Sequence, residues 1–223
     1  MIGAMVFAAG LGTRMRPLTD DRPKGLVEVA GRALVDHALE QVAGARPVVV
    51  NAHHHADKLI DHLASQDVTV LHETPRLLDT GGGLRNALPY LGTGPVFTMN
   101  ADAVWTGPTA FATLAAAWAP ERMDGLLLLV PLSRAVGPVR GSFRMRTDGS
   151  LLRDPDGHAY TGAGLMKTDE LADAPREVFS LRDLWFDMAA RGRLHGVLHR
   201  GRWADVGTPD GIAAAEAMLA AQV

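Results

Sequence analysis

Along the first 130 residues, short apolar runs alternate with stretches whose apolar positions recur every three or four residues. The runs Ala4–Ala9, Pro47–Ala52, Val68–Glu73, Val96–Asn100 and Leu126–Leu132 predict buried strands. Between them, Leu34–Val42, Asp57–Ala64, Leu84–Leu91 and Thr109–Trp118 predict amphipathic helices, with Leu59, Ile60 and Leu63 on one face. Near-continuous apolar strands separated by helices make an α/β fold: a mostly parallel sheet with helices on both faces. Right-handed crossovers bring the strand C-terminal ends, and the loops after them, to one edge, where ligands bind.

From about Gly137 the pattern changes. Ser142–Arg146 and Leu151–Arg153 flank Thr147-Asp148-Gly149, an Asp-Gly hairpin signal, so a small β insertion is expected. A helix is predicted over Leu181–Arg191, with Ser180 as N-cap and Asp183 completing a capping box. A strand over Leu194–His199 and the run Trp203–Val206 follow, then a last helix after Thr208 and Pro209. No long linker interrupts the chain, so residues 1–223 are expected to form a single domain.

Composition narrows the function classes. A chain of 223 residues with 47% hydrophobic and 21% charged residues is globular rather than disordered. A net charge of −3 argues against a general nucleic-acid binder, and 5% aromatic residues weaken any reading built on base stacking. Having no cysteine excludes disulfides, thiolate catalysis and zinc-thiolate sites. The apolar N-terminus carries no Lys or Arg before Arg14, so it reads as a first strand rather than a signal peptide. No run approaches the ~18 apolar residues of a membrane span. The resulting expectation is a cytoplasmic protein that binds neither membrane nor nucleic acid, as a monomer or small homo-oligomer.

The segment Ala8-Ala9-Gly10-Leu11-Gly12-Thr13-Arg14 directly follows the first strand, and Pro23-Lys24 comes shortly after. Glycines there let backbone N–H groups approach phosphates closely, and Arg14 and Lys24 supply positive charge. A structural βα turn uses glycine too, so both readings stand on chemistry alone. Met15 occupies the place of the third glycine of a dinucleotide fingerprint, and no Gly-Lys-Ser/Thr of a P-loop occurs. Asp102 follows an apolar strand, and Asp205 lies in Trp203-Ala204-Asp205-Val206-Gly207-Thr208-Pro209. Each is a metal-ligand candidate, and each taken alone reads more often as a turn or cap residue.

The string AAGLGTRMRPLTDDRPKGL, together with NAD and WADVGTP, resembles the signature of the sugar-1-phosphate nucleotidyltransferases. That resemblance runs from Ala8 through Pro209 and implies the nucleotide-diphospho-sugar transferase fold, a Rossmann-like sheet. It further implies a nucleotide-binding half over 1–132 and a sugar-binding half over 133–223. The partners implied are a nucleoside triphosphate and a sugar 1-phosphate, with Mg²⁺ held by Asp102 and Asp205. Arg14 and Lys24 are the implied catalytic residues. Ala8, Ala9, Gly10, Leu11, Gly12 and Thr13 are the implied nucleotide cradle, and Thr80, Gly81 and Gly82 the base-side contacts. Ala101 belongs to the nucleotide set as well, although it stands where the family has Gly and puts a methyl group toward the ribose. Asn100, Gly141, Thr161, Gly162 and Gly164 are the implied sugar contacts.

Within the family, the compact length, LLDTGGGLRNALPYL and RWADVGTP point to members that couple UTP to N-acetylmuramate 1-phosphate in bacterial cell-wall (peptidoglycan) recycling. Mannose-1-phosphate guanylyltransferases share much of the pattern. A phosphocholine cytidylyltransferase would need an aromatic cage for which only Tyr90 and Tyr160 supply phenols, and an inactive regulatory paralogue should have lost Arg14, Lys24 or a carboxylate. Glu73 ends a strand at the active edge, facing either a ligand hydroxyl or solvent. His53-His54-His55 lack a partner at metal spacing and read as a capping or solvated turn. Trp118 and Trp185 fall at core spacing.

Overall fold

Seven strands form the central sheet: β1 (Gly3–Phe7), β2 (Val48–Ala52), β3 (Thr69–His72), β4 (Val96–Asn100), β5 (Gly125–Val130), β6 (Ala159–Met166) and β7 (Leu194–Leu198). Their spatial order is β7-β5-β6-β4-β1-β2-β3 in a computed structural model that describes residues 1–172 and 174–221. All are parallel except β6, which runs antiparallel between β4 and β5. The expected mostly parallel sheet is thus present.

The helices are α1 (Leu34–Gln41), α2 (Ala56–Leu63), α3 (Asp79–Leu91), α4 (Ala110–Ala117), α5 (Leu181–Ala190) and α6 (Pro209–Ala220). Alternation along the strands decides which face each helix covers. Ala4 and Val6 of β1 turn to a core shared with Val35, Leu59 and Leu114 of α1, α2 and α4. Met5, between them, turns the other way to Leu84, Leu91, Trp185 and Met188 of α3 and α5. Burying each such side chain contributes roughly 1.5–3 kcal/mol, which is why the strands read as unbroken apolar runs.

A second, three-stranded sheet joins Ala103–Trp105, Trp203–Asp205 and Ala135–Val136. Beneath α6 it closes a third core with Met15, Val104, Ala204 and Met218. The hairpin signalled by Asp148-Gly149 is present, with Phe143–Met145 paired to Leu151–Arg153.

Two sequence expectations need correction. The segment Tyr160–Gly164, expected to supply sugar contacts, is part of strand β6, which bulges against β5 between Tyr160 and Gly164, where Gly162 takes φ +85°. Gly164 therefore faces Leu127 and Thr98 inside the sheet, and Thr161 donates its hydroxyl to the Leu128 carbonyl at 2.7 Å. Both are buried within the sheet. Helix α3 begins at Asp79 rather than Leu84, so Gly81, Gly82 and Gly83 lie inside it.

At the end of the sheet away from the loops, Asp124 binds Lys167 Nζ at 2.9 Å and Arg193 through two nitrogens at 2.9 and 3.1 Å. The Arg193 hydrogen bonds foremost, and Lys167 with them, lower its carboxyl to about 2. A lowered carboxyl stabilises the fold above its ordinary value of 3.8, and that contribution is lost as pH falls from there through about 2. Asp124→Asn should therefore lower the melting temperature at pH 7 by about 2–4 °C. In thermal melts followed against pH, the difference from wild type should shrink progressively below pH ~4.

Candidate active site

The chain leaves β1 toward β2 on one side and later returns to β4 on the other, so the crevice between the ends of β1 and β4 is the sheet's switch point. A cavity of about 180 Å³ opens there, lined by Phe7–Gly10, Lys24, Asn51, Leu77, Asp79, Thr80 and Asn100–Asp102.

One wall is the glycine loop. Asn51 ends β2, and its Oδ1 accepts the N–H groups of Ala8 at 2.7 Å and Ala9 at 3.3 Å. Ala8 and Ala9 are thus buried and held, and their amides are already taken. Gly10, Leu11 and Gly12 come next, and their N–H groups make no hydrogen bond among the described residues. The free cradle begins at Gly10. Leu11, Thr13 and Arg14 are exposed along its rim. Gly12 has φ +63°, and an added Cβ would lie 3.0 Å from Thr19 and 3.1 Å from Lys24. Thr19 pins this bend by donating its hydroxyl to the Gly12 carbonyl at 2.8 Å.

The three histidines hold the same wall from behind. His53 Nδ1 donates to the Glu73 carbonyl, His54 Nε2 to that of Thr19 and His55 Nε2 to that of Asp20, at 2.7, 3.2 and 3.1 Å. They fasten the loop's return path.

Glu73 answers the question left open by its position. It is 2% exposed, takes the Asn51 amide on Oε1 at 2.7 Å and the Leu78 N–H on Oε2 at 2.8 Å. One buried carboxylate thus ties the glycine loop, through Asn51, to the opposite wall at Leu78–Thr80. Neither Asn51 nor this role of Glu73 was read from the sequence. The available signal was a polar residue inside the apolar run Val48-Val49-Val50-Asn51-Ala52. A buried amide needs partners, and these are they.

On the opposite wall, Asp79 has φ +60° and its Oδ1 accepts the Thr80 N–H at 2.6 Å. Gly81 and Gly82, expected beside the base, are turned away from the cavity. Their N–H groups donate to the Phe179 carbonyl at 2.8 and 3.3 Å. A Cβ on Gly81 would lie 2.3 Å from the Phe179 ring, and one on Gly82 2.3 Å from the Glu177 carbonyl oxygen. These glycines admit segment 177–179, while Leu77, Asp79 and Thr80 face the cleft.

The charged centre lies beyond β4. Asp102 accepts from Lys24 Nζ at 2.8 Å, and its carbonyl accepts the Val206 N–H at 2.8 Å. Asp205 pairs with Ala103 on the adjacent strand, so the two carboxylate-bearing residues are backbone neighbours. A Cβ on Gly207 would lie 2.9 Å from Asp205 Oδ2 and 3.2 Å from the Arg14 guanidinium. Arg14 and Lys24 thus flank the pair. Burial raises the Asp205 carboxyl above its ordinary value, and the Asp102 charge raises it further against the opposing pull of Lys24 and Arg14. Two carboxyl-bearing residues on adjacent strands at a half-buried edge form an oxygen donor set that a hard divalent cation suits.

On the far side, Gly162 packs against the Asn100 side chain, and Gly141 against the Pro155 and Gly157 carbonyls. Ala101, 4% exposed, lines the cavity and donates its N–H to the Phe7 carbonyl. No helix is long and apolar enough to cross a membrane among the described residues.

A family model described as the MobA-like NTP transferase domain matches residues 4–153. An N-acetylmuramate alpha-1-phosphate uridylyltransferase from Caulobacter vibrioides is 44% identical over 97% of this chain and 96% of its own length. A protein of the same description from Neisseria meningitidis serogroup B is 31% identical over 98% of both chains. Among solved structures, HddC from Yersinia pseudotuberculosis complexed with GMP-PN covers 98% of this chain and 100% of its own, with TM-score 0.78 and 19% identity. At that identity the likeness is one of fold.

Proposed function

The chain belongs to the MobA-like NTP transferase family and is a nucleotidyltransferase, and from that premise we propose that it transfers a uridylyl group from UTP to N-acetylmuramate 1-phosphate. The observation that carries this reading is the meeting of Asp102, Asp205, Lys24 and Arg14 beside free loop amides at the switch point. The choice of UTP and of the acidic sugar is supported by relatives at 44% and 31% identity that match over nearly their whole length.

In this reading a phosphate oxygen of the sugar phosphate attacks the α-phosphorus of UTP in line, and pyrophosphate leaves. The attacking phosphate is already anionic near neutral pH, so no general base is required. The amides of Gly10, Leu11 and Gly12 cradle the triphosphate, and Arg14 on the rim neutralises the departing pyrophosphate. Lys24 reaches the reacting centre and stabilises charge that builds on the phosphoryl oxygens. Asp102 and Asp205 are the residues that would hold Mg²⁺. When bound, that ion supplies positive charge shared by the phosphate oxygens. Asn51 and Glu73 act as positioning residues, since they touch only the walls. Leu77, Asp79 and Thr80 take the base side, and Asn100 and Gly162 the acceptor side.

The test is pyrophosphate release with Mg²⁺, measured across UTP, GTP, CTP and dTTP crossed with a panel of sugar 1-phosphates. UTP with N-acetylmuramate 1-phosphate is expected to give the highest kcat/KM, and chelation of the ion should abolish turnover. A strong preference for GTP with mannose 1-phosphate would move the assignment to a guanylyltransferase.

A further inference from the structure

A second cavity, of about 240 Å³, lies on the acceptor side of the cleft, bounded by the Gly141–Ser142 turn, Arg153, Tyr160, Arg182 and Trp185. It adjoins the reaction centre through β6. Gly162, two residues along that strand from Tyr160, packs on the Asn100 side chain.

Two cations face this space without a protein counter-charge. Arg153 ends the hairpin, and its guanidinium lies 5.1 Å from the centre of the Phe186 ring. Phe186 follows Arg182 by four residues on α5, so both stand on one face of that helix. The Arg153 guanidinium thus rests against the helix face that also carries Arg182. Neighbouring arginines do find carboxylates, Arg144 with Asp154 and Arg191 with Glu170. Arg153 and Arg182 have none among the described residues. Arg182 also sits in the first turn of α5 next to Asp183, with no salt bridge between them among the described residues.

We propose that Arg153 and Arg182 form an anion subsite that selects a sugar 1-phosphate bearing a carboxylate substituent on the ring. The inference rests on the proposed uridylyltransferase reading and deepens it, naming what distinguishes the acidic acceptor from a neutral one. Guanidinium forks pair with a carboxylate through two parallel hydrogen bonds, and the aromatic floor of Tyr160 and Trp185, 4.8 Å apart, supports the ring carrying it. Both residues are exposed at the rim, away from the phosphates, so their contribution is to acceptor binding and not to the transfer step.

The test compares N-acetylmuramate 1-phosphate with N-acetylglucosamine 1-phosphate, which lacks only the carboxylate-bearing ether, at saturating UTP. The wild type should favour the acidic acceptor by at least ~10-fold in kcat/KM. Arg153→Gln and Arg182→Gln should each raise KM for the acidic acceptor by ~10-fold or more while kcat stays within about twofold. The neutral acceptor should be used as well as before, and Arg182→Lys should recover part of the loss because it keeps the charge without the fork. Equal losses on both acceptors, or an unchanged KM for the acidic one, would overturn the subsite while leaving uridylyl transfer intact. Failure of the wild type to transfer to either acceptor overturns the uridylyltransferase reading, and the subsite with it.

Discussion

Asp205→Asn should melt at a higher temperature than the wild type at pH 7 without divalent ion, and turn over ~10³-fold more slowly with it. The two effects share one cause. Burial first, and the Asp102 charge second, raise the Asp205 carboxyl above 3.8 against the opposing pull of Lys24 and Arg14. A carboxyl raised in the folded state contributes its full stability below its unfolded value, and that contribution is lost as pH rises through the folded value. The charged form of Asp205 is therefore the poorly solvated one, and it lies beside Asp102. The amide removes that strain and, with it, one of the two oxygen donors proposed to hold Mg²⁺. Melts from pH 4 to 8 should show the gap opening with pH, and Mg²⁺ should stabilise the wild type but not the variant. A variant that melts lower at pH 7, or that keeps its activity, would contradict the role given to this carboxylate.

Lys24→Met should reduce kcat by ~10²–10³-fold while leaving the Mg²⁺ concentration for half-maximal rate unchanged or lower. Lys24 stands 2.8 Å from Asp102 and is only 14% exposed, so in the free protein it neutralises the carboxylate that would otherwise attract a divalent ion. Removing it takes a cation from the transition state and at the same time leaves two carboxylates with one fewer competitor. The free protein should melt lower, opposite in sign to Asp205→Asn, because Asp102 loses its partner. Initial rates against Mg²⁺ at fixed UTP separate the two effects. A weakened Mg²⁺ dependence together with a preserved kcat would place Lys24 in the ion's surroundings rather than at the reacting phosphorus.

Much of this architecture could be read from residues alone, and the exceptions share physical reasons. The apolar runs ending at Ala9, Ala52, Asn100 and Leu132 placed four of the parallel strands, because a strand covered on both faces has little choice but to be apolar. Asp102 and Asp205 were legible from their motifs, yet nothing local in the sequence says that they sit on adjacent strands; that is a product of the small three-stranded sheet. Strand β6 was hidden because Gly162 and Gly164 weaken the strand pattern, although glycine is what a crowded central position beside Asn100 and Thr98 admits. Gly81 and Gly82 invited a reading as a ligand loop. The partner they accommodate, Phe179, lies almost a hundred positions along the chain, beyond the reach of any local signal. The Asn51–Glu73 tie was missed for the same reason, since its two ends come from different crossovers.

The placement of β6 has a consequence for how the protein could be dissected. This strand comes after residue 153, where the matched family region stops, yet it lies between β4 and β5, both of which precede it. A fragment truncated at that point would lose the middle plank of the sheet, the Phe179 carbonyl that receives Gly81 and Gly82, and Asp205 with it. Halves of the polypeptide are therefore not halves of the machine, and any split or grafted version must carry both interleaved portions to assemble a reaction centre at all.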